Sequence, residues 1–197
     1  MALWVLMVGV GVLASSSIAS AAGAIDQPGY AKAVVCSGCH GFGGNSRVEA
    51  VPIIAGMDAG YFRKAIDDYA AGRRLSAEME PFAKQVKLLG VDELAAFFAA
   101  QKRTLGTSRP DRAAVERGRT AAAPCLACHG PEGHGDPAKL VPRLAGQPAV
   151  YLRNQLLLFK ADRRSPGDEA VTKVKAALKS IGDDTLADLA AYFASLK

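Results

Sequence analysis

The sequence predicts an all-α protein made of two tandem copies of one small helical domain. Two observations carry this reading. Apolar residues recur at helical spacing in several segments, and no segment alternates as a half-buried strand would. The second observation is an internal repeat, which has to be found before any motif is read singly. Cys36-Ser37-Gly38-Cys39-His40 returns as Cys125-Leu126-Ala127-Cys128-His129 at an offset of 89. Val51-Pro52-Ile53-Ile54-Ala55-Gly56 returns as Val141-Pro142-Arg143-Leu144-Ala145-Gly146, and Tyr61-Phe62-Arg63 as Tyr151-Leu152-Arg153, both at an offset of 90. Asp92 to Phe98 matches Ala187 to Phe193 at an offset of 95, so the second copy gains five residues between its tyrosine and its last helix.

Residues 1–24 carry no charge and pass from an apolar block into Ser, Ala and Gly, which is the pattern of an export signal. Ala19-Ser20-Ala21 or Ala22-Gly23-Ala24 would be its cleavage site, and an uncleaved membrane anchor is the alternative. Domain 1 is expected over 25–104, a linker containing Gly106, Ser108 and Pro110 over 105–111, and domain 2 over 112–197. In domain 1, short helices are expected over Tyr30–Cys39, Ala59–Ala71 and Val91–Ala100. In domain 2 they are expected over Arg112–Cys128, Ala149–Ala161 and Asp184–Leu196. Gly- and Pro-rich loops separate each Cys-x-x-Cys-His from the helix that follows. Domains of this size have thin cores and need an apolar body at their centre.

All four cysteines of the 197-residue chain lie in Cys-x-x-Cys-His. In this c-type heme attachment motif, Cys36 and Cys39, and again Cys125 and Cys128, add to heme vinyl groups, while His40 and His129 bind the two irons. A zinc site would gather four ligands in one place, and a thioredoxin-like redox pair would sit beside a strand in a βαβ unit. A structural disulfide is the remaining competitor, and the repeat with His directly after the second Cys favours heme. The basic residues, 24 Lys and Arg against 19 Asp and Glu, are scattered and give no nucleic-acid signal.

The two heme motifs, the Pro-x-x-Ala-Gly loops, the middle-helix tyrosines and the closing Leu-Ala-x-(Tyr/Phe)-Phe-Ala helices resemble the diheme cytochromes of the cytochrome c4 family. The diheme subunit of flavocytochrome c sulfide dehydrogenase has a similar layout. The resemblance covers residues 26–197. It implies two class I cytochrome c domains related by a pseudo-twofold, facing hemes and periplasmic electron transfer. It also implies a Met sulfur as sixth ligand of the first heme, which points to Met79, with Met57 as a packing residue.

No Met follows Met79, so the family's His/Met pattern cannot be completed inside domain 2. Ungapped alignment puts Glu169 opposite Met79, while the five-residue gain would bring some residue of 171–175 there instead. Lys173 or Lys175 as a neutral amine, or an open sixth position, are the alternatives; Lys179 and His134 are weaker candidates. Arg63, Arg153, Tyr61 and Tyr151, with Arg73-Arg74 and Arg163-Arg164, are either contacts for heme propionates or ordinary surface and packing residues. Pro52 and Pro142 are expected to set loops whose carbonyls accept from His40 and His129 Nδ1. The expected role is electron transfer between redox proteins, such as a membrane oxidase. The alternatives are a cytochrome subunit of a flavoprotein or other dehydrogenase, and a heme enzyme acting at the second iron.

Overall fold

A computed structural model describes residues 24–165, 167 and 169–197. The export signal expected over residues 1–24 therefore lies, but for Ala24, outside the described residues. The first copy contains α1 (Tyr30–His40), α2 (Ala59–Ala70), α3 (Met79–Leu89) and α4 (Val91–Ala100). The second contains α5 (Arg112–Ala121), α6 (Ala123–His129), α7 (Ala149–Lys160), α8 (Glu169–Lys179) and α9 (Asp183–Ser195). Among the described residues, extended pairing is confined to isolated bridges. Among the described residues no helix is long and apolar enough to cross a membrane.

Each copy builds its own core. Phe62, Ile66, Tyr69, Leu94, Phe97 and Phe98 are buried together in the first, and Leu152, Leu178, Leu186, Leu189, Tyr192 and Phe193 in the second. The helix expected over Arg112–Cys128 is broken at Ala122 into α5 and α6. Pro124 explains the break, because it has no N–H to give and its ring is tolerated only in the first turn of a new helix. Sequence reading assigned neither α3 nor α8. Each follows a polar loop, and α3 starts where Ser76 Oγ accepts from Met79 N at 3.1 Å.

The first and last helices of each copy cross at a glycine, and the two crossings match. A Cβ on Gly29 would lie 2.7 Å from the Glu93 carbonyl oxygen, and one on Gly118 would lie 2.0 Å from that of Asp188. Gly118 follows Gly29 by the same 89 residues as the cysteine motifs, and Asp188 follows Glu93 by the same 95 as the closing helices. On an exposed helix face, Gly→Ala stabilises by up to about 1 kcal/mol. At Gly118 the obstacle is backbone and cannot rotate away, so Gly118→Ala should instead cost about 2–3 kcal/mol, as overpacking does. A lower urea midpoint with an unchanged slope is the expected result; a raised midpoint would refute the close crossing.

Helix faces also resolve the five-residue gain. In α3, Ala83 and Val86 are buried and Met79 is half-buried one turn before them; in α8 the inward residues are Val171, Lys175 and Leu178. The faces superpose at an offset of 92. Two residues are therefore gained before α8 and three between Leu178 and the α9 core, and Val171 rather than Glu169 takes the register of Met79.

Candidate heme-binding sites

Each Cys-x-x-Cys-His forms the C-terminal end of a helix. Cys36 and Cys125 are half-buried, Cys39 and Cys128 are exposed, and all four are free thiols. Burial pushes the Cys36 and Cys125 thiols above their ordinary value, which disfavours the thiolate a redox pair would need. Gly41 and Gly130 end the two helices, and the chain then loops back so that a proline carbonyl meets the histidine. His40 Nδ1 donates to Pro52 O at 2.9 Å and His129 Nδ1 to Pro142 O at 2.8 Å. This is the arrangement expected from the Pro-x-x-Ala-Gly repeat. It fixes the tautomer and leaves each Nε2 as a lone-pair donor. Burial lowers both imidazole pKa values, against the opposing effect of the proline carbonyls, and so favours the neutral ring that a metal requires.

The tyrosines do something the sequence did not indicate. Arg74 of the first copy donates to the Tyr151 hydroxyl of the second at 2.6 Å, and Arg164 of the second donates to the Tyr61 hydroxyl of the first at 2.9 Å. Since 164 follows 74 and 151 follows 61 by the same 90 residues, the exchange is pseudo-twofold. Gln155 Oε1 accepts from both arginines, at 2.8 Å from Arg74 Nη2 and 2.9 Å from Arg164 Nη1. Each guanidinium also lies over a ring of its own copy, Arg74 over Tyr69 and Arg164 over Phe159. Main-chain bonds from Leu75 N to Arg163 O and from Ser165 N to Arg73 O close the seam. Burial alone would raise the Tyr61 phenol, but the Arg164 and Arg74 charges outweigh it and hold it below its ordinary value.

A second part of the seam joins the two Pro-x-x-Ala-Gly loops. The buried Gln147 side chain accepts from Ile53 N at 2.9 Å and donates to Ile53 O at 2.8 Å. Arg103 reaches the carbonyls of Ile53 and Ala55 in one loop and Ala145 in the other. Burial and the nearby Arg143 charge push Arg103 down to about 10, still charged at neutral pH. Gln147, Gln155 and Arg103 were missed because each has at least one partner in the other copy. Gln155 lies one helical turn after Tyr151, which was the only available hint.

The other expected site residues are placed as follows. Met79 opens α3, half-buried against the first core, and Met57 packs on the same core from the preceding loop. Arg63 pairs with Asp92 at 2.5 Å on the surface, and Arg153 is exposed beside Asp183. Neither reaches the tyrosine seam. Lys173 pairs with Glu169 at 3.0 Å on the outside of α8, and Lys175 is held by Asp162 at 2.7 Å and Ser165 Oγ at 2.6 Å. Lys179 joins Asp162 at 2.7 Å, and His134 Nε2 lies 2.8 Å from Lys197 O.

These residues fit two c-type hemes. Each copy offers two thiols, an oriented imidazole and an apolar wall. Arg74 is only 3% exposed and, with Arg164, has no carboxylate partner among the described residues. A buried cation without a counter-charge is costly, and heme propionates are anions of the kind that would meet this need.

Comparison with known proteins agrees. Residues 115–197 match the Cytochrome c family. The chain is 33% identical to cytochrome c4 of Azotobacter vinelandii over 187 residues, covering 85% of this chain and 87% of that one. The chain belongs to the cytochrome c4 family. Reduced recombinant cytochrome c4 from Pseudomonas stutzeri superposes with a TM-score of 0.76 at 27% identity, over 85% of this chain and 96% of that one. A thiosulfate dehydrogenase electron acceptor of Stutzerimonas stutzeri is 32% identical over 182 residues, covering 83% of this chain and 80% of its own length. As a cytochrome c4, the protein has two tandem class I cytochrome c domains, carries two covalently bound hemes c and is a diheme electron-transfer cytochrome.

Proposed function

We propose that the protein is a periplasmic carrier that passes single electrons between redox proteins, one heme in each of domains 25–104 and 112–197. The observation that supports this best is the repeated attachment helix whose histidine Nδ1 is tied to a proline carbonyl. Bound heme c supplies the one-electron ferric/ferrous couple. Cys36 and Cys39 would hold the first heme and His40 its iron, and Cys125, Cys128 and His129 would do the same for the second. Met79 is the sixth ligand of the first heme; the cap from Ser76 sets the backbone of its helical turn. Tyr61, Tyr151, Arg74 and Arg164 would receive the propionates, and their exchange across the seam would tie the two heme sites together. The export pattern of residues 1–24 supports the periplasmic location.

The partner reading favoured by similarity is a dehydrogenase that donates to this cytochrome, since one relative carries the name of a thiosulfate dehydrogenase electron acceptor. A membrane oxidase then suits the accepting side. Spectroelectrochemical titration should show two one-electron steps per chain. Met79→Ala should abolish the Met–iron charge-transfer absorption of the oxidised protein. It should also lower the potential of the first heme by on the order of 0.1 V, a modest part of the ~0.8 V span that axial ligation commands. Met57→Ala should change neither. Reversal of the two results would move the ligand to Met57.

A further inference from the structure

We propose that the second heme takes no sixth ligand from the chain, and that its distal side at Val171 is an open apolar pocket for a small neutral diatomic molecule. The inference rests on the two-heme reading and departs from it in giving the domains different chemistry. Register is the first ground. The inward face of α8 runs Val171, Lys175, Leu178 where α3 runs Met79, Ala83, Val86, so an aliphatic side chain stands at the position of the thioether.

Occupation of the other donors is the second ground. The chain has no Met after Met79. Lys173 lies outside with Glu169, and both side chains are largely exposed, at 77% and 85%. Lys175 turns inward, yet its ammonium is tied to Asp162 and Ser165, and Lys179 shares the same carboxylate. The Lys175 and Lys179 bonds hold the Asp162 carboxyl at about 2, well below the usual range. An ammonium engaged in this way has no lone pair for a metal. His134 is spent on the chain end at Lys197.

Val171 and Leu178 present an aliphatic surface, and the Lys175 ammonium between them is turned to Asp162 and Ser165. Such a surface favours neutral diatomics over anions, which would lose hydration there without a replacement partner. The open side would give one domain a ligand-sensing or ligand-reacting site while the other remains a carrier.

Carbon monoxide, titrated into the dithionite-reduced full-length protein, is the test. The expected result is one carbon monoxide per chain, with half of the Soret absorption shifting. Val171→Met should reduce binding at least tenfold and add a second Met–iron charge-transfer band to the oxidised spectrum. Met79→Ala should raise the stoichiometry to two. No binding by the wild type would overturn the proposal, and a gain of binding in Lys175→Ala or Lys173→Ala would then assign that amine as the ligand. A pyridine hemochrome count on the same sample separates this from failure of the underlying reading. Two hemes without carbon monoxide binding refute the open site alone, whereas one heme per chain refutes both.

Discussion

Cys125→Ala combined with Cys128→Ala should yield a protein with one heme and an unfolded second half. The second core contains few large buried side chains: Leu152, Leu178, Leu186, Leu189, Tyr192 and Phe193. Around them Leu126, Leu144, Leu156, Leu157 and Phe159 remain only partly buried, an apolar rim that needs one more surface to close on. A macrocycle supplies that surface, and a domain of this size has only about 5 kcal/mol or somewhat more to lose. Removing the covalent anchors takes away most of the burial these side chains would gain. Mass spectrometry should find the polypeptide plus one heme. Far-ultraviolet circular dichroism should lose roughly half of the helical signal at temperatures where the first domain still holds. Retention of the full helical signal in a single-heme protein would show that the second core closes without the cofactor.

The features legible in the sequence are those that repeat locally. The cysteine motifs, the proline loops and the closing helices each use partners within one copy, so comparing the copies exposes them. The His–Pro carbonyl bonds were legible because nearly the same loop length separates motif and proline in both halves, 12 residues in one and 13 in the other. Other features depended on contacts that spacing does not encode. Helices α3 and α8 were passed over although apolar residues recur in them at helical spacing, Met79, Ala83 and Val86 in one and Val171 and Leu178 in the other, because both stretches were taken for the loop that carries a sixth ligand. The break at Pro124 was readable from proline chemistry alone and was passed over in favour of a continuous helix. The pairing of Tyr61 with Arg164 and of Tyr151 with Arg74 was hidden because each copy supplies half of the other's site. The same holds for Arg63 and Arg153, which share the repeat and sit on the surface, while Arg74 and Arg164, also repeated, form the seam.

Arg74→Met should have an effect whose sign distinguishes two accounts of the seam. Arg74 is 3% exposed and bonds to two neutral acceptors of the other copy, Tyr151 and Gln155, while lying over Tyr69. Taken as a buried cation among neutral groups only, it pays a large desolvation penalty, and an apolar side chain of similar length could replace it at no cost or even stabilise the protein. Taken as the partner of heme propionates, it cannot be replaced so easily. Its loss strands a carboxylate and leaves Tyr151 without its donor, while Gln155 keeps Arg164 at 2.9 Å. Breaking such a pair costs about 3–5 kcal/mol. The loaded protein should therefore lose about that much stability, with the single thermal transition separating into two as the domains uncouple. Tyr151→Phe removes only one hydrogen bond to a charged donor and should cost about 1.5–3 kcal/mol. The two substitutions combined should fall short of additivity by 1 kcal/mol or more, because they act on the same contact. Interheme electron transfer should slow in Arg74→Met, since the seam that holds one heme against the other is loosened, while each heme keeps its own axial ligands and spectrum. A neutral or stabilising Arg74→Met would place the propionates away from this arginine and leave the seam as a purely structural joint.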